Sequence, residues 1–425
     1  MPENNRYYLS SAPVWRALIH LCVPMIAGLS VGAVYNVINA GFVGSLHSTA
    51  LLAAITFSLP VFALQMAVGG VFGVGGGTYV SRLLGAEDGL RIKHVTSFTL
   101  WASVLTGVVF GAVALILLPQ VVSVLGATGE TVAPTMTYVG ILLAFTPVFV
   151  SAFALEQLVR AEGAAMVSMY GLIAATITNL ALDVVLILGL GWGVAGAAVA
   201  VGVSNLVMVG WYAWWLQRRS SAASLAPRWF RVDRAMLRTV FGVGASELIM
   251  SSFLIVSSLV VMRLAIGYGD AAVAGIGVAL RISQLVEMVC MGVFIGAMPL
   301  FAYAFGAGRR DRLRAGIRGS ALTIAAIYKQ RWQVELFFKW LKQNLNVRHF
   351  FGNSLNAVKS QIWIAVCTYL MALIAHKPFQ SEISLRNFLH LVEVNMFERI
   401  TLAQMVANAL RGDAFSHIHA QTELF

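Results

Sequence analysis

The sequence predicts an all-α protein: a polytopic membrane helical bundle followed by a small, mostly helical soluble tail. Three observations carry this. Of 425 residues, 59% are hydrophobic and only 11% charged, and the mean hydropathy is +0.81; soluble domains carry roughly 25% charge. Apolar runs near the bilayer-spanning length of about 20 residues recur from position 15 to 304. The cationic residues then alternate between the connections of those runs, as the positive-inside rule requires.

The elements follow in order. Spanning helices are expected near 15–43, 49–72, 95–119, 133–158, 165–190, 194–216, 236–265 and 272–304. A ninth apolar run starts near 316 and is cut short at Tyr328. Arg6 and Arg16 precede the first helix. Arg82, Arg91 and Lys93 follow the second, Arg160 the fourth, and Arg218, Arg219, Arg228, Arg231, Arg234 and Arg238 the sixth. Arg309, Arg310, Arg312, Arg314 and Arg318 follow the eighth. The intervening connections, "SLHS", "PQVVSVLGATGETVAP", "LGLGWG" and "IGYGDAA", hold no Lys or Arg. Every second loop is basic, which places the N-terminus and the tail in the cytoplasm and the protein in the cell's inner membrane. The net charge of +11 thus needs no nucleic-acid partner. The N-terminus lacks the short apolar core of a cleaved signal peptide, so the first helix itself is expected to direct insertion.

Two strings repeat at an offset of about 221 residues: "GGVFGVGGG" with "MGVFIGAMP", and "SRLLGAEDGLR" with "AYAFGAGRRDR". Six helices fit inside that offset, so the copies would form a parallel repeat of two bundles. The expected organisation is a six-helix lobe at 1–217, a basic cytoplasmic linker at 218–235, a partial second lobe at 236–320 and a separate tail at 321–425. The glycine clusters permit close helix contact or a flexible stretch; no Gly-Lys-Ser/Thr follows them, so they are no phosphate loop. Pro24 is expected to free a backbone carbonyl in the first helix. Cys22, Cys290 and Cys367 lie far apart in apolar surroundings and suggest neither a disulfide framework nor a metal site.

Ionisable groups inside a bilayer are costly and tend to be functional. Asp183 stands in "TNLALDVVLILG" with Asn179 one helical turn earlier on the same face. Desolvation can hold such a carboxyl neutral, and a cation or water path can charge it. That is what a proton- or sodium-coupling site needs, although a hydrogen-bonded structural carboxylate has the same pattern. Glu156, Glu247, Arg263, Arg281 and Glu287 are read as paired, interfacial or cavity-lining groups.

Residues 1 to about 320 resemble the multidrug and toxic compound extrusion (MATE) family. The resemblance rests on the order and spacing of "YNVINAGFVG", "SRLLGAEDG", "VRAEGAA", "TNLALD", "GWGVAGAAVA", "ALRISQ" and "FGAGRRDR". It implies two six-helix bundles facing a central cavity, and export of cationic or amphipathic small molecules in exchange for H+ or Na+, with no other cofactor. It also implies a polar coupling cluster in the first lobe, onto which Tyr35, Asn179 and Asp183 fall. The cluster's first-helix acid falls on Asn39, which cannot titrate, and a family threonine falls on Val201. The family has twelve helices; this chain supplies eight and a stub, so impaired transport is expected.

The stretch "YKQRWQVELFFKWLKQ" at 328–343 is of another kind, charged and aromatic. Tyr328, Arg331, Glu335 and Lys342 fall roughly on one face of a helix. With "FFGNSLNAVKSQIWIAVCTYLMALI", the string resembles the signature helix of insertion-sequence-four DDE transposases. That resemblance implies that Glu335 is the third acid of a triad holding two Mg2+ ions, with Tyr328, Arg331 and Lys342 orienting DNA. The other two acids belong to an upstream strand-rich domain that this chain lacks. One acid cannot hold two metal ions, so Glu335 is expected to be an inactive remnant, no metal is expected, and DNA is not an expected partner. Two further helices are expected within 378–412, and the whole is read as a transporter rather than an enzyme.

Overall fold

A computed structural model describes residues 3–45, 49–220, 222–266, 270–344, 371–379, 383–395 and 400–410. For 3–4, 33–45, 49–53, 251, 254–256, 258–259, 261–266, 270–286, 330–344, 385–386 and 393 it describes the backbone alone. Every regular element among the described residues is helical. The chain divides into two compact units, Met1–Ile327 and Tyr328–Phe425.

In the first unit, the short helix α1 (Glu3–Ser10) precedes α2 (Val14–Ser45), α3 (Thr49–Gly85), α4 (Gly89–Ile116) and α5 (Leu118–Val124). Then come α6 (Val132–Ala144), α7 (Thr146–Ala161), α8 (Ala165–Asp183), α9 (Gly193–Arg218), α10 (Arg234–Ile266), α11 (Asp270–Gly306) and α12 (Arg310–Asn344), the last running into the second unit. Among the described residues, six helices are long and apolar enough to cross a membrane, or seven if one bent pair is a single span. The expected span at 236–265 falls in α10, much of which lies outside the described side chains.

That bent pair corrects the expectation of one unbroken helix at 133–158. The chain breaks at Phe145, and α6 and α7 meet at 50°. The cause is Pro147 in the first turn of α7, which has no N–H to bond back into α6 and whose ring excludes the preceding carbonyl. Gly107 and Gly111 of α4 leave room for the elbow. A Cβ on Gly107 would lie 2.7 Å from Pro147 Cα, and one on Gly111 would lie 2.7 Å from the Leu143 carbonyl.

The glycine-rich stretch 69–77 is helical and extends α3 well past its expected end. Its glycines let three helices approach α3. Cβ atoms at Gly73 and Gly77 would press on Ala154 and Gln157 of α7, and one at Gly76 would lie 2.1 Å from Thr99 Oγ1 of α4. One at Gly75 would lie 2.1 Å from the Val240 carbonyl of α10. Reciprocally, a Cβ on Gly244 of α10 would lie 2.2 Å from the Val71 carbonyl. On α11, Gly292 and Gly296 meet Ile26 and Cys22 of α2, and Cys22 Sγ donates to the Val293 carbonyl at 3.4 Å. Gly85 and Gly306 stand 221 positions apart, the offset of the sequence repeat, and each lies where the other's helix crosses: Gly85 on Tyr303 and Gly306 on Arg82.

The second unit contains a helix end at 371–376, then α13 (Leu385–Val394) and α14 (Leu402–Leu410). These two are the helices expected within 378–412. Ser384 caps α13 by accepting from the Asn387 N–H, and Thr401 with Gln404 form a reciprocal capping box at α14. Ile383, Phe388, Leu391, Met405, Val406 and Ala409 make its small core.

Candidate functional site

Asn179 and Asp183 are both buried on α8. Asp183 ends the regular helix, and Val184–Gly189 continue as a π-helical turn. Wide turns of this kind interrupt the regular bonding ladder and recur at functional sites. Here the turn is closed by the Leu190 N–H donating to the Val185 carbonyl at 2.9 Å. The sequence pattern placed Asp183 within a continuous helix; the structure puts it at the junction.

Tyr138 of α6, buried, lies within range of the Asp183 charge. Tyr138, Leu142 and Ile187 share one apolar cluster, against which Val201 of α9 packs. The position where the family's threonine is absent therefore borders the same interior. Gln65 of α3, fully buried, donates to the Leu142 carbonyl at 3.1 Å and to Thr146 Oγ1 at 2.8 Å. One carboxyl, two amides and a phenol thus lie inside the first lobe, carried by α3, α6 and α8. Tyr35 and Asn39 stand four residues apart on α2; their side chains lie outside the described residues. Tyr138 and Gln65 had no signal in the sequence, being single polar residues inside apolar runs.

A second polar cluster sits at the other end of α7. Glu156 and Arg160, both buried, form an ion pair at 2.9 Å, and Ser168 donates to Glu156 at 3.2 Å. The Tyr212 hydroxyl donates to the Ser168 carbonyl at 2.8 Å. Glu156 was expected to be paired or interfacial, and it is paired. Glu162, in the turn between α7 and α8, is fully buried and accepts from Ser220 Oγ at 2.6 Å. Burial pushes its carboxyl up to about 7, against the opposing effect of the Ser220 bond. Glu162 was part of a quoted string but carried no mark of burial. The turn needs Gly163, whose φ is +79° and whose position abuts Leu9 and the Asn5 carbonyl of α1.

In the tail, Tyr328 is exposed and α12 carries Arg331, Glu335 and Lys342, whose side chains lie outside the described residues.

A carboxyl and an amide buried one turn apart inside a bundle of membrane-spanning length mark a candidate functional site, and the family match makes that bundle a membrane transporter. The chain belongs to the MatE family, whose model matches residues 24–185 and 245–328. Residues 309–371 match a second family, the transposase DDE domain, so the two matches overlap at 309–328. The multidrug export protein MepA of Staphylococcus aureus (strain MRSA252) is 34% identical over 328 residues, covering 77% of this chain and 72% of that protein. The protein of the same name in Staphylococcus saprophyticus matches to the same extent. A solved structure of MATE in the straight conformation superposes with a TM-score of 0.74 at 25% identity, covering 84% of this chain and 79% of the other. An outward-facing multidrug resistance MATE family transporter gives the same values.

Proposed function

We propose that this chain descends from cation-coupled multidrug antiporters of the cell's inner membrane, and that its transport is impaired. The observation that carries the proposal is Asp183, a carboxyl buried at the end of a membrane helix, with Asn179 one turn before it. Asp183 would take up H+ or Na+ on one side and release it as a cationic or amphipathic molecule binds. Asn179 and Tyr35 would supply polar neighbours. Asn39 cannot titrate, so Asp183 bears the coupling without a second acid on α2. The positive-inside pattern supports a cytoplasmic N-terminus and tail. The names of the MepA relatives, multidrug export proteins, support the substrate class.

Impairment follows from the lobes. The first, 1–217, is read as six spans; beyond the linker 218–235, the second, 236–320, is read as two and a stub. A cavity between lobes cannot close with one of them so incomplete, and polar interior faces would meet lipid.

The test uses the full chain in proteoliposomes under an imposed proton or sodium gradient, with a fluorescent cationic dye. Dye binding that weakens on acidification is expected, with no gradient-driven accumulation. Asp183→Asn, which mimics the protonated carboxyl, should bind the dye weakly at every pH and lose the pH dependence. Unchanged pH dependence in that variant would remove Asp183 from the mechanism, and uphill accumulation by the wild-type chain would remove the impairment.

A second reading rests on the match at 309–371: a transposase remnant. Glu335 is the only member of the triad that the tail would supply. Magnesium-dependent nicking of supercoiled plasmid by the full chain would favour this reading; none is expected.

A further inference from the structure

We propose that the linker between the lobes is a preformed seat for the headgroup of an anionic phospholipid. The sequence presents 218–235 as a basic connection. The structure makes residues 222–230 a strap tied to the start of α4. Thr96 Oγ1 donates to the Ser224 carbonyl at 3.0 Å and accepts from the Ser224 N–H at 3.1 Å. Ser97 Oγ donates to the Ala226 carbonyl and Trp101 Nε1 to the Leu225 carbonyl, both at 3.0 Å. His94 Nδ1 lies 2.8 Å from the Trp229 carbonyl. Ala223 and Leu225 are buried in the main core, and Phe230 stacks obliquely on Phe98 at 5.9 Å.

With its inner side fixed, the strap turns its cations outward. Lys93 Nζ and the Arg228 guanidinium stand over the Trp229 ring at 5.2 and 5.7 Å from its centre. Arg228, Arg231 and Arg234 are exposed, beside the exposed apolar side chains of Phe230 and Val232. Among the described residues, no carboxylate forms an ion pair with Lys93, Arg228, Arg231 or Arg234. The nearby acids are otherwise engaged: Asp88 with Arg91 at 3.5 Å, and Asp233 with the Ala235 N–H at 3.4 Å.

The level in the bilayer agrees. The span α4 has 28 residues, about 42 Å at 1.5 Å per residue, against a hydrocarbon core of about 30 Å. The first turn or so of α4 therefore reaches the headgroups, and Lys93, His94 and Trp229 lie at that boundary. A tryptophan flanked by cations is the side-chain pattern of an interfacial anchor. Positive-inside composition alone would leave these arginines on a loose loop. Instead Arg228 is held on a strap bonded to α4 and Arg231 and Arg234 follow directly after it, with apolar neighbours to meet acyl chains and guanidinium forks to meet a phosphodiester.

The test places the full chain in phosphatidylcholine nanodiscs and titrates brominated phosphatidylglycerol or brominated phosphatidylcholine. Subtracting the signal of Trp229→Phe isolates quenching at Trp229. Quenching should saturate at a lower fraction of the anionic lipid than of the zwitterionic one. The double variant Arg228→Gln/Arg231→Gln should weaken the anionic response about tenfold or more. Arg228→Lys/Arg231→Lys, which keeps the charges, should retain most of it and serves as the folding control. Equal quenching by the two lipids overturns the proposal, as does a preference that survives in the glutamine variant. Displacement by millimolar inorganic phosphate would assign the site to a free anion, and displacement by a short RNA to nucleic acid; either would overturn the lipid assignment.

Discussion

Glu162 shows how one residue can tie two parts of the chain together and make the tie depend on pH. Its carboxyl is fully buried and accepts from Ser220, which precedes the strap. Burial raises its folded value from 4.5 to about 7. A carboxylic acid raised in the folded state contributes stability that is complete below the unfolded value and is lost as pH rises to the folded one. The window here runs from pH 4.5 to 7. A shift of this size corresponds to about 3 kcal/mol at most. The detergent-solubilised chain should therefore melt at a higher temperature near pH 5 than near pH 8, and Glu162→Gln should flatten that difference. An unchanged slope in the variant would mean that Glu162 is ionised in its burial site.

Asp183 is the residue that the sequence marked most clearly, because a carboxylate in an apolar run needs a reason to be there. Its helix face with Asn179 was readable from the four-residue spacing. Its position at a π turn and the reach of its charge to Tyr138 were not, since neither spacing nor composition records them. Likewise Arg160 is a plain loop cation in the sequence, yet it is buried against Glu156. Such a pair is weak evidence for stability, since desolvation offsets much of the attraction.

At the scale of elements, the apolar runs located the helices but not their ends or breaks. The elbow between α6 and α7 required noticing that Pro147 falls inside a run. The glycine stretch 69–77 carried two readings, flexible or closely packed, and packing decided between them. The crossing of α3 and α11 at Gly85 and Gly306 is the sharpest case. A Cβ at Gly306 would sit 2.0 Å from the Arg82 carbonyl, and one at Gly85 would sit 2.2 Å from the Tyr303 carbonyl. Backbone cannot yield as a side-chain end can. Gly306→Val should cost about 1–3 kcal/mol or more by overpacking, seen as a lower melting midpoint in detergent. Gly242→Ala, whose Cβ would meet nothing within 4 Å and which lies inside α10, should hold the midpoint or raise it slightly through helix propensity. Equal midpoints for the two variants would mean that the helices do not cross there.

The whole molecule joins a unit whose exterior carries large exposed apolar side chains, such as Ile116, Val124 and Phe253, to a tail in which Ile383, Phe388, Leu391, Met405, Val406 and Ala409 form a small core. Lipid suits the first and water the second. The purified full chain should sediment from buffer without detergent and remain dispersed with it. Dispersal without detergent would contradict the membrane assignment. In the family matches, as in the amphipathic string beginning at Tyr328, the change of character falls within α12, which runs as one helix from Arg310 to Asn344. A helix needs only local bonds, so two unrelated sequences can share one.

Composition, run length and loop charge alone determined that this is a membrane helical protein, because the bilayer allows few ways to satisfy a buried backbone; the resemblance of the string from Tyr328 marked the tail as foreign. The strings determined the family. Only the tertiary structure decided that Tyr138 stands within range of the Asp183 charge, that Glu162 is buried, and that the basic linker is a docked strap. Each of those depends on contacts between residues tens to hundreds of positions apart, and neither helical periodicity nor composition records which helix will be the neighbour.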